Sequence, residues 1–210
     1  MPIYEYGEVE IAYLKSKDQK LAEAIDRIGR IERNVIHDPF VALISSIVAQ
    51  QVSIKAAETV YARLTDFVTV ISPESIGNLS VDDIQKCGMT FRKAGYIKGI
   101  AEAALTGEVD FHTLHQLTDE EVIKKLSALS GIGIWTVEML LIHSLCRPDV
   151  VSYGDLAIRR GMMNLYGLDT LSKSDFESYR KRYTPHGTVA SLYLWALSVE
   201  EPEGIDKNHK

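Results

Sequence analysis

Two places in this sequence hold residues suited to binding an anion or stabilising a developing charge. One is Leu129-Ser130-Gly131-Ile132-Gly133-Ile134-Trp135-Thr136; the other is Asp155, 20 residues beyond Trp135. Two glycines flanking one apolar residue let a chain turn sharply with unusual φ and clear side chains from the turn surface. The N–H groups of such a turn, with the N-terminus of the helix that follows, can receive a phosphate oxygen. Ile132 is expected to point back between the flanking helices and set the hairpin angle. A bare Gly-x-Gly is more often a plain αα-turn, but the longer pattern Leu-x-Gly-Ile-Gly-x-Trp-Thr between two helical stretches favours an anion-binding hairpin. Asp155, just before Leu156-Ala157-Ile158-Arg159-Arg160, reads locally as a helix N-cap. A carboxylate there faces amides and the positive helix pole, so a cap and a fixed anion are compatible roles.

These residues need helices to hold them, and the helical signals are dense. The hairpin calls for one helix from about Thr118 to Leu129 and a second from Ile134 toward Cys146, stopped by Pro148. Asp38-Pro39 places an N-cap before a proline at the first helical position, and Phe40-Val41-Ala42-Leu43-Ile44 opens a helix apolar almost all round, which suits a central element. Gln50-Gln51 interrupts it, and Ser53 is placed to cap the next helix. Ser72-Pro73 repeats the cap-then-proline signal. Ser80-Val81-Asp82-Asp83 and Thr118-Asp119-Glu120-Glu121 read as capping boxes, and Gly88 and Gly107 as helix stops. No window sustains the apolar–polar alternation of strands. The expected class is all-α, with an N-terminal segment (1–37) packing on a helical domain (38–199) and a polar tail (200–210).

Composition narrows the function classes. Of 210 residues, 46% are hydrophobic and 25% charged, ordinary for a globular protein. No apolar run reaches the roughly 20 residues needed to span a bilayer. The two cysteines, Cys87 and Cys146, lack a metal-ligand spacing. With an acidic N-terminus that lacks a leader pattern, they predict free thiols and a cytoplasmic, nucleoid-associated protein. The net charge of −6 argues mildly against nucleic acid, yet Lys86, Arg92, Lys93 and Lys98 form a local basic run free of acids within 86–99. A hairpin that binds phosphate through amides needs little net charge.

At these residues the chain resembles the helix-hairpin-helix DNA glycosylases that remove damaged bases, and within them the alkylation-repair branch, 3-methyladenine DNA glycosylase II. Besides the hairpin at 126–141, Pro148 to Arg160 is similar to the branch's segment carrying its catalytic aspartate. Ile47 to Ala57 is similar to its DNA-inserting loop, and Tyr183 to Gly187 with Ser191 to Trp195 to its C-terminal helix. The resemblance spans about 38–199. It implies a two-lobed fold without the extra N-terminal β-rich domain of some members.

The resemblance implies that Asp155 is the catalytic carboxylate, stabilising the positive charge that builds on the sugar as a base departs. It implies a pocket of Trp135, Met139 and Trp195 for a flipped base, with Met139 standing where some members carry an aromatic. DNA contacts would come from Gln50, Gln51, Ser53, Gly131, Gly133 and Thr136. Gln51 matches the residue that fills the gap left by the base, though Gln50-Gln51 reads equally as a polar helix break. Bifunctional relatives place a lysine where Trp135 stands, and an indole cannot form their Schiff base, so base release without strand nicking is expected. No cofactor is implied beyond a monovalent cation at the hairpin when DNA is bound, and no iron–sulfur cluster, for want of cysteines after Cys146. The expected partner of a monomer is double-stranded DNA holding damaged bases. Two alternatives are a same-fold glycosylase for oxidised purines or mismatched adenine, and a non-catalytic helix-hairpin-helix module.

Overall fold

The computed structural model describes residues 2–199; the polar tail at 200–210 lies outside the described residues. Among these, the chain forms twelve α-helices, one 3₁₀ turn at Leu114–Gln116 and a single isolated bridge, Ile3 to Asn34. No helix there is long and apolar enough to cross a membrane. The chain divides into two compact units. A central unit covers Ile36–Leu145, and a terminal unit joins the described residues before Ile36 with those after Leu145.

The central unit contains α3 (Pro39–Ala49), α4 (Ile54–Val68), α5 (Pro73–Gly77), α6 (Val81–Lys86), α7 (Phe91–Leu105), α8 (Asp119–Leu126) and α9 (Ile134–His143). The expected caps are in place. Asp38 accepts from Val41 N–H at 3.1 Å with Pro39 at the first position, and Ser72, Ser80 and Thr118 complete capping boxes. Each such cap is worth about 1 kcal/mol. α3 buries Phe40, Leu43, Ile44, Ile47 and Val48 and packs against α4, α7 and α9, the central position its composition called for.

The terminal unit contains α1 (Glu8–Lys17), α2 (Gln19–Ile28), α10 (Leu156–Tyr166), α11 (Lys173–Tyr183) and α12 (Gly187–Leu197). The N-terminal segment is thus two helices built into one core with the C-terminal three, through Leu14, Leu21, Ile25, Ile158, Met162, Phe176 and Leu194. α12 is buried along nearly its whole length, and α10 lies against it at Gly161, where a Cβ would run into the Leu194 carbonyl. Behind this core, buried Asp18 caps α2 through Leu21 N–H at 3.0 Å and accepts from Tyr166 at 2.7 Å and Arg182 at 2.9 Å. Burial pushes its carboxyl up, but the hydrogen bonds from Tyr166, Leu21 and Arg182 together hold it below the usual carboxylate range. Arg182 thus supports the core through Asp18.

Candidate functional site

The hairpin of the central unit is shorter-armed than its pattern implied. α8 ends at Leu126 rather than Leu129, because Leu129 N–H turns back to Leu126 O at 3.1 Å and Ile132 N–H to Leu129 O at 3.2 Å. Such tight bonds satisfy the last helical carbonyls and end the helix. α9 stops at His143 rather than running toward Cys146: Leu145 N–H bonds Leu140 O at 3.0 Å and Cys146 takes φ 51, a turn completed ahead of Pro148. Ile132 is buried, as its place between the helices required. The two glycines differ. Gly131 has φ 85, and a Cβ there would fall on the Tyr96 ring, so it needs glycine on both counts. Gly133 is ordinary extended backbone at φ −92; it is the N-cap of α9, supplies no side-chain cap, and a Cβ there would meet open space. Unusual φ is thus confined to Gly131.

Beside the hairpin, the end of α3 and the start of α9 line a groove of about 430 Å³ with Ser46, Ala49, Gln50, Gln51, Trp135, Thr136 and Met139. Trp135 and Met139 share it because a spacing of four residues puts them on one helix face. Trp135 is 46% exposed, whereas Thr136 is 5% exposed. Thr136, expected near a phosphate, stands at the third position of α9 and turns its side chain inward, whereas Trp135 at the second faces outward. Gln50 Nε2 donates to Gly131 O at 3.2 Å, tying the loop after α3 to the hairpin. Gln51 holds φ 56, a left-handed conformation that a non-glycine residue adopts at a cost of about 1 kcal/mol. It starts an exposed stretch in which Val52 and Ile54 face solvent, while Ser53 caps α4 through Ala56 N–H at 3.3 Å.

Asp155 lies in the terminal unit. It is the N-cap of α10, accepting from Ile158 N–H at 2.9 Å, and only 7% of it is exposed. Trp195 Nε1–H on α12 points at the same oxygen, Oδ1, at 3.3 Å. The loop that delivers Asp155 is fastened to the first turns of α12. Asp149 Oδ1 accepts from Gly187 N–H at 3.0 Å, Thr188 Oγ1 from Val150 N–H at 3.0 Å, and Ser191 Oγ donates to Val150 O at 2.8 Å. Gly187 is required there, because a Cβ would come within 2.5 Å of Asp149 Oδ1. Asp149 thus has a structural role in this loop. Trp195, grouped by sequence with Trp135 and Met139, is instead placed against Asp155, with Arg33 over its ring at 5.2 Å.

The basic run at 86–98 is largely absorbed by the fold. Lys93 Nζ donates to Val48 O at 2.9 Å and also to Gln50 O, closing the C-terminal end of α3, and burial lowers its amine's pKa. Lys98 bonds Gly77 O at 2.5 Å at the end of α5, and Lys86 pairs with Asp83 at 3.0 Å. Cations at helix C-termini answer the negative pole, which sequence periodicity did not reveal. Neither Cys87 nor Cys146 is in a disulfide, and burial pushes both thiols above their usual range. Among the described residues no group of three or more His, Cys, Asp or Glu could hold a metal ion. The hairpin offers main-chain oxygens instead, Leu129 O and Gly131 O each accepting one bond at 3.2 Å. A carbonyl oxygen has a second lone pair and is the donor type that a monovalent cation takes.

Comparison with known proteins converges on one group. The family described as HhH-GPD superfamily base excision DNA repair protein matches residues 44–186. DNA-3-methyladenine glycosylase 1 of Schizosaccharomyces pombe is 35% identical over 89% of this chain and 85% of its own length. The crystal structure of DNA-3-methyladenine glycosidase from Bacillus halodurans superposes with a TM-score of 0.85 at 35% identity, covering 95% of this chain and 93% of that one. The S. pombe 3-methyladenine DNA glycosylase in complex with abasic DNA gives 0.76 at 31% identity, covering 89% and 94%.

Proposed function

The chain belongs to the HhH-GPD superfamily of base excision DNA repair proteins, and from that premise we propose that it is a monofunctional DNA glycosylase. It extrudes alkylated bases of the 3-methyladenine type from double-stranded DNA and hydrolyses their N-glycosidic bond. The relatives named for 3-methyladenine, one of them bound to abasic DNA, support this substrate class. The observation that carries the reading is Asp155. It is a buried carboxylate fixed at Oδ1 by two N–H donors before any substrate arrives, in the segment that resembles the family's catalytic one.

Hydrolysis of the bond to an alkylated base separates a good leaving group from a sugar that becomes cationic at C1′. An anion held in place stabilises that state without reorganising, and removing such a group costs about 10²- to 10³-fold in rate. Asp155 acts as this anion and orients the water that adds to C1′, leaving an abasic site and free base. Trp135 offers an exposed ring on which an electron-poor extruded base stacks, with Met139 beside it. Gly133 and the first turn of α9 present amides to a phosphate. Gln51, strained at the tip of its loop, is the residue that enters the duplex; strain of this kind concentrates at functional positions. Ser53 and Gln50 hold that loop in shape. A cation at the hairpin would help neutralise the phosphate, and no step passes through it. The protein acts as a cytoplasmic, nucleoid-associated monomer.

The test is to incubate wild type and Asp155→Asn with methylated duplex DNA and identify the released bases. Wild type releases 3-methyladenine-type bases and leaves the strand uncut until alkali is added, while Asp155→Asn falls by about 10³-fold. Equal release by the two proteins would overturn the role of Asp155, and strand cleavage without alkali would overturn the monofunctional assignment.

A further inference from the structure

We infer that Trp195 is a positioning residue for Asp155, and that Arg33 of the N-terminal segment strengthens its grip. The inference rests on Asp155 being the catalytic carboxylate. Arg33 and Trp195 both fall outside residues 44–186, the stretch that matches the family, yet all three residues lie in the terminal unit.

An indole has two polar features, an N–H that only donates and a ring face that attracts cations. In Trp195 both are engaged. Its Nε1–H points at Asp155 Oδ1 at 3.3 Å, and the Arg33 guanidinium stands 5.2 Å from its ring centroid. A cation over the face draws π density away from the N–H edge, so the N–H becomes a stronger donor to the carboxylate; linked interactions of this kind polarise one another. Ile158 N–H binds the same oxygen at 2.9 Å, so two donors from two helices set the carboxylate's plane. With one ring face under Arg33, Trp195 is poorly suited to stacking on a base, unlike exposed Trp135.

The supports of this chain of contacts are built into the fold. Arg33 O accepts from Tyr4 N–H at 2.8 Å, and Val35 N–H donates to Pro2 O at 3.0 Å, so the start of the chain holds Arg33 by a short antiparallel pairing. Trp195 is carried on α12, whose approach to α10 is set by Gly161. The N-terminal segment thereby contributes to the chemistry without touching substrate.

The test compares wild type, Asp155→Asn, Trp195→Phe and Arg33→Gln in single-turnover base release from methylated duplex DNA, and in binding to duplex containing an abasic-site analogue. Trp195→Phe keeps an aromatic ring and loses the donor. It is expected to slow base release by about 10- to 100-fold, the equivalent of a hydrogen bond to a charged group, while affinity for abasic DNA stays within about twofold. Arg33→Gln is expected to slow release about threefold, with affinity equally unchanged. The chain has two tryptophans, so a proton–nitrogen correlation spectrum of the free protein holds two indole resonances. The Trp195 signal is expected to move in Asp155→Asn and, by less, in Arg33→Gln. Wild-type release by Trp195→Phe alongside an inert Asp155→Asn overturns the inference and leaves the role of Asp155 standing. Wild-type release by Asp155→Asn overturns that role itself. Equal losses of affinity and release in Trp195→Phe would place the indole in direct contact with the DNA and also overturn the inference. Should Trp195→Phe fail to fold, an indole signal unmoved by Asp155→Asn has the same consequence.

Discussion

The surroundings of Asp155 and those of Gln51 and Trp135 follow opposite physical terms. Asp155 is buried, in an ordinary N-cap conformation, and answered by N–H donors from α10 and α12. Gln51 adopts φ 56, and around it and the hairpin Val52, Ile54, Ile134 and Trp135 leave 46–79% of their surface in water. Groups that must stabilise charge gain from being fixed in advance in a dry setting. Groups that meet a large partner gain from staying uncovered, because the apolar area they keep exposed is buried only when the partner arrives. The first region should therefore respond to mutation through rigidity, the second through its freedom from constraint.

The largest effect is expected at Gly161. Alanine there collides with the Leu194 carbonyl and must push α10, which Asp155 caps, away from α12, which bears Trp195. Gly161→Ala should lose about 2–3 kcal/mol of stability by denaturant unfolding, with base release falling more than DNA affinity. If it is as stable and active as wild type, the close α10–α12 contact is not what orients the carboxylate. Next comes Gly131→Ala, which combines φ 85 with a clash against Tyr96. It should cost about 2 kcal/mol and weaken DNA binding, while base release from already bound DNA changes little. Gly133→Ala, whose Cβ meets open space, is the control that should remain stable.

Asp155→Ala sharpens the contrast within one residue. It removes cap and carboxylate together, so it should lose about 1 kcal/mol more stability than Asp155→Asn, which keeps the cap, while both lose base release. Equal stability of the two would mean that the carboxylate does not cap α10. In the exposed region the sign reverses. Gln51→Gly relieves the positive φ and should change stability by less than about 1 kcal/mol, in the stabilising direction, while reducing base release from duplex DNA. A destabilised, fully active variant would remove Gln51 from DNA recognition. The smallest effect is on the acid side. The Asp18 carboxyl is held low in the folded protein, so its contribution is fully present above the unfolded value near about pH 4 and is lost as pH falls through the folded one. Tyr166→Phe removes one of its donors and should flatten that acid limb of an unfolding titration.

Local chemistry in the chain carried much of this. The caps at Asp38, Ser53, Ser72, Ser80, Thr118 and Asp155 were legible because a side chain three residues from its amide makes the bond by itself. The turn at Gly131 was legible from the Gly-Ile-Gly pattern, but the Tyr96 ring that also excludes a side chain there is 35 positions away. Periodicity could not show that Gly133 has ordinary backbone, that Thr136 turns inward, or that Lys93 and Lys98 close helix ends instead of standing in solvent. The two lysine contacts depend on residues 45 and 21 positions away: Lys93 on Val48, Lys98 on Gly77.

An all-helical chain, a glycine hairpin and one carboxylate poised at a helix start were readable in the amino-acid order, because those features arise from contacts within a few residues. The tertiary structure alone decided what surrounds each of them. It placed Trp195 and Arg33 at Asp155 and left Trp135 in an exposed groove with Gln50 and Gln51. Arg33, Asp155 and Trp195 are separated by 122 and 40 positions along the chain. Only the packing of α12 on α10, and the return of the N-terminal segment to the C-terminal helices, brings them together.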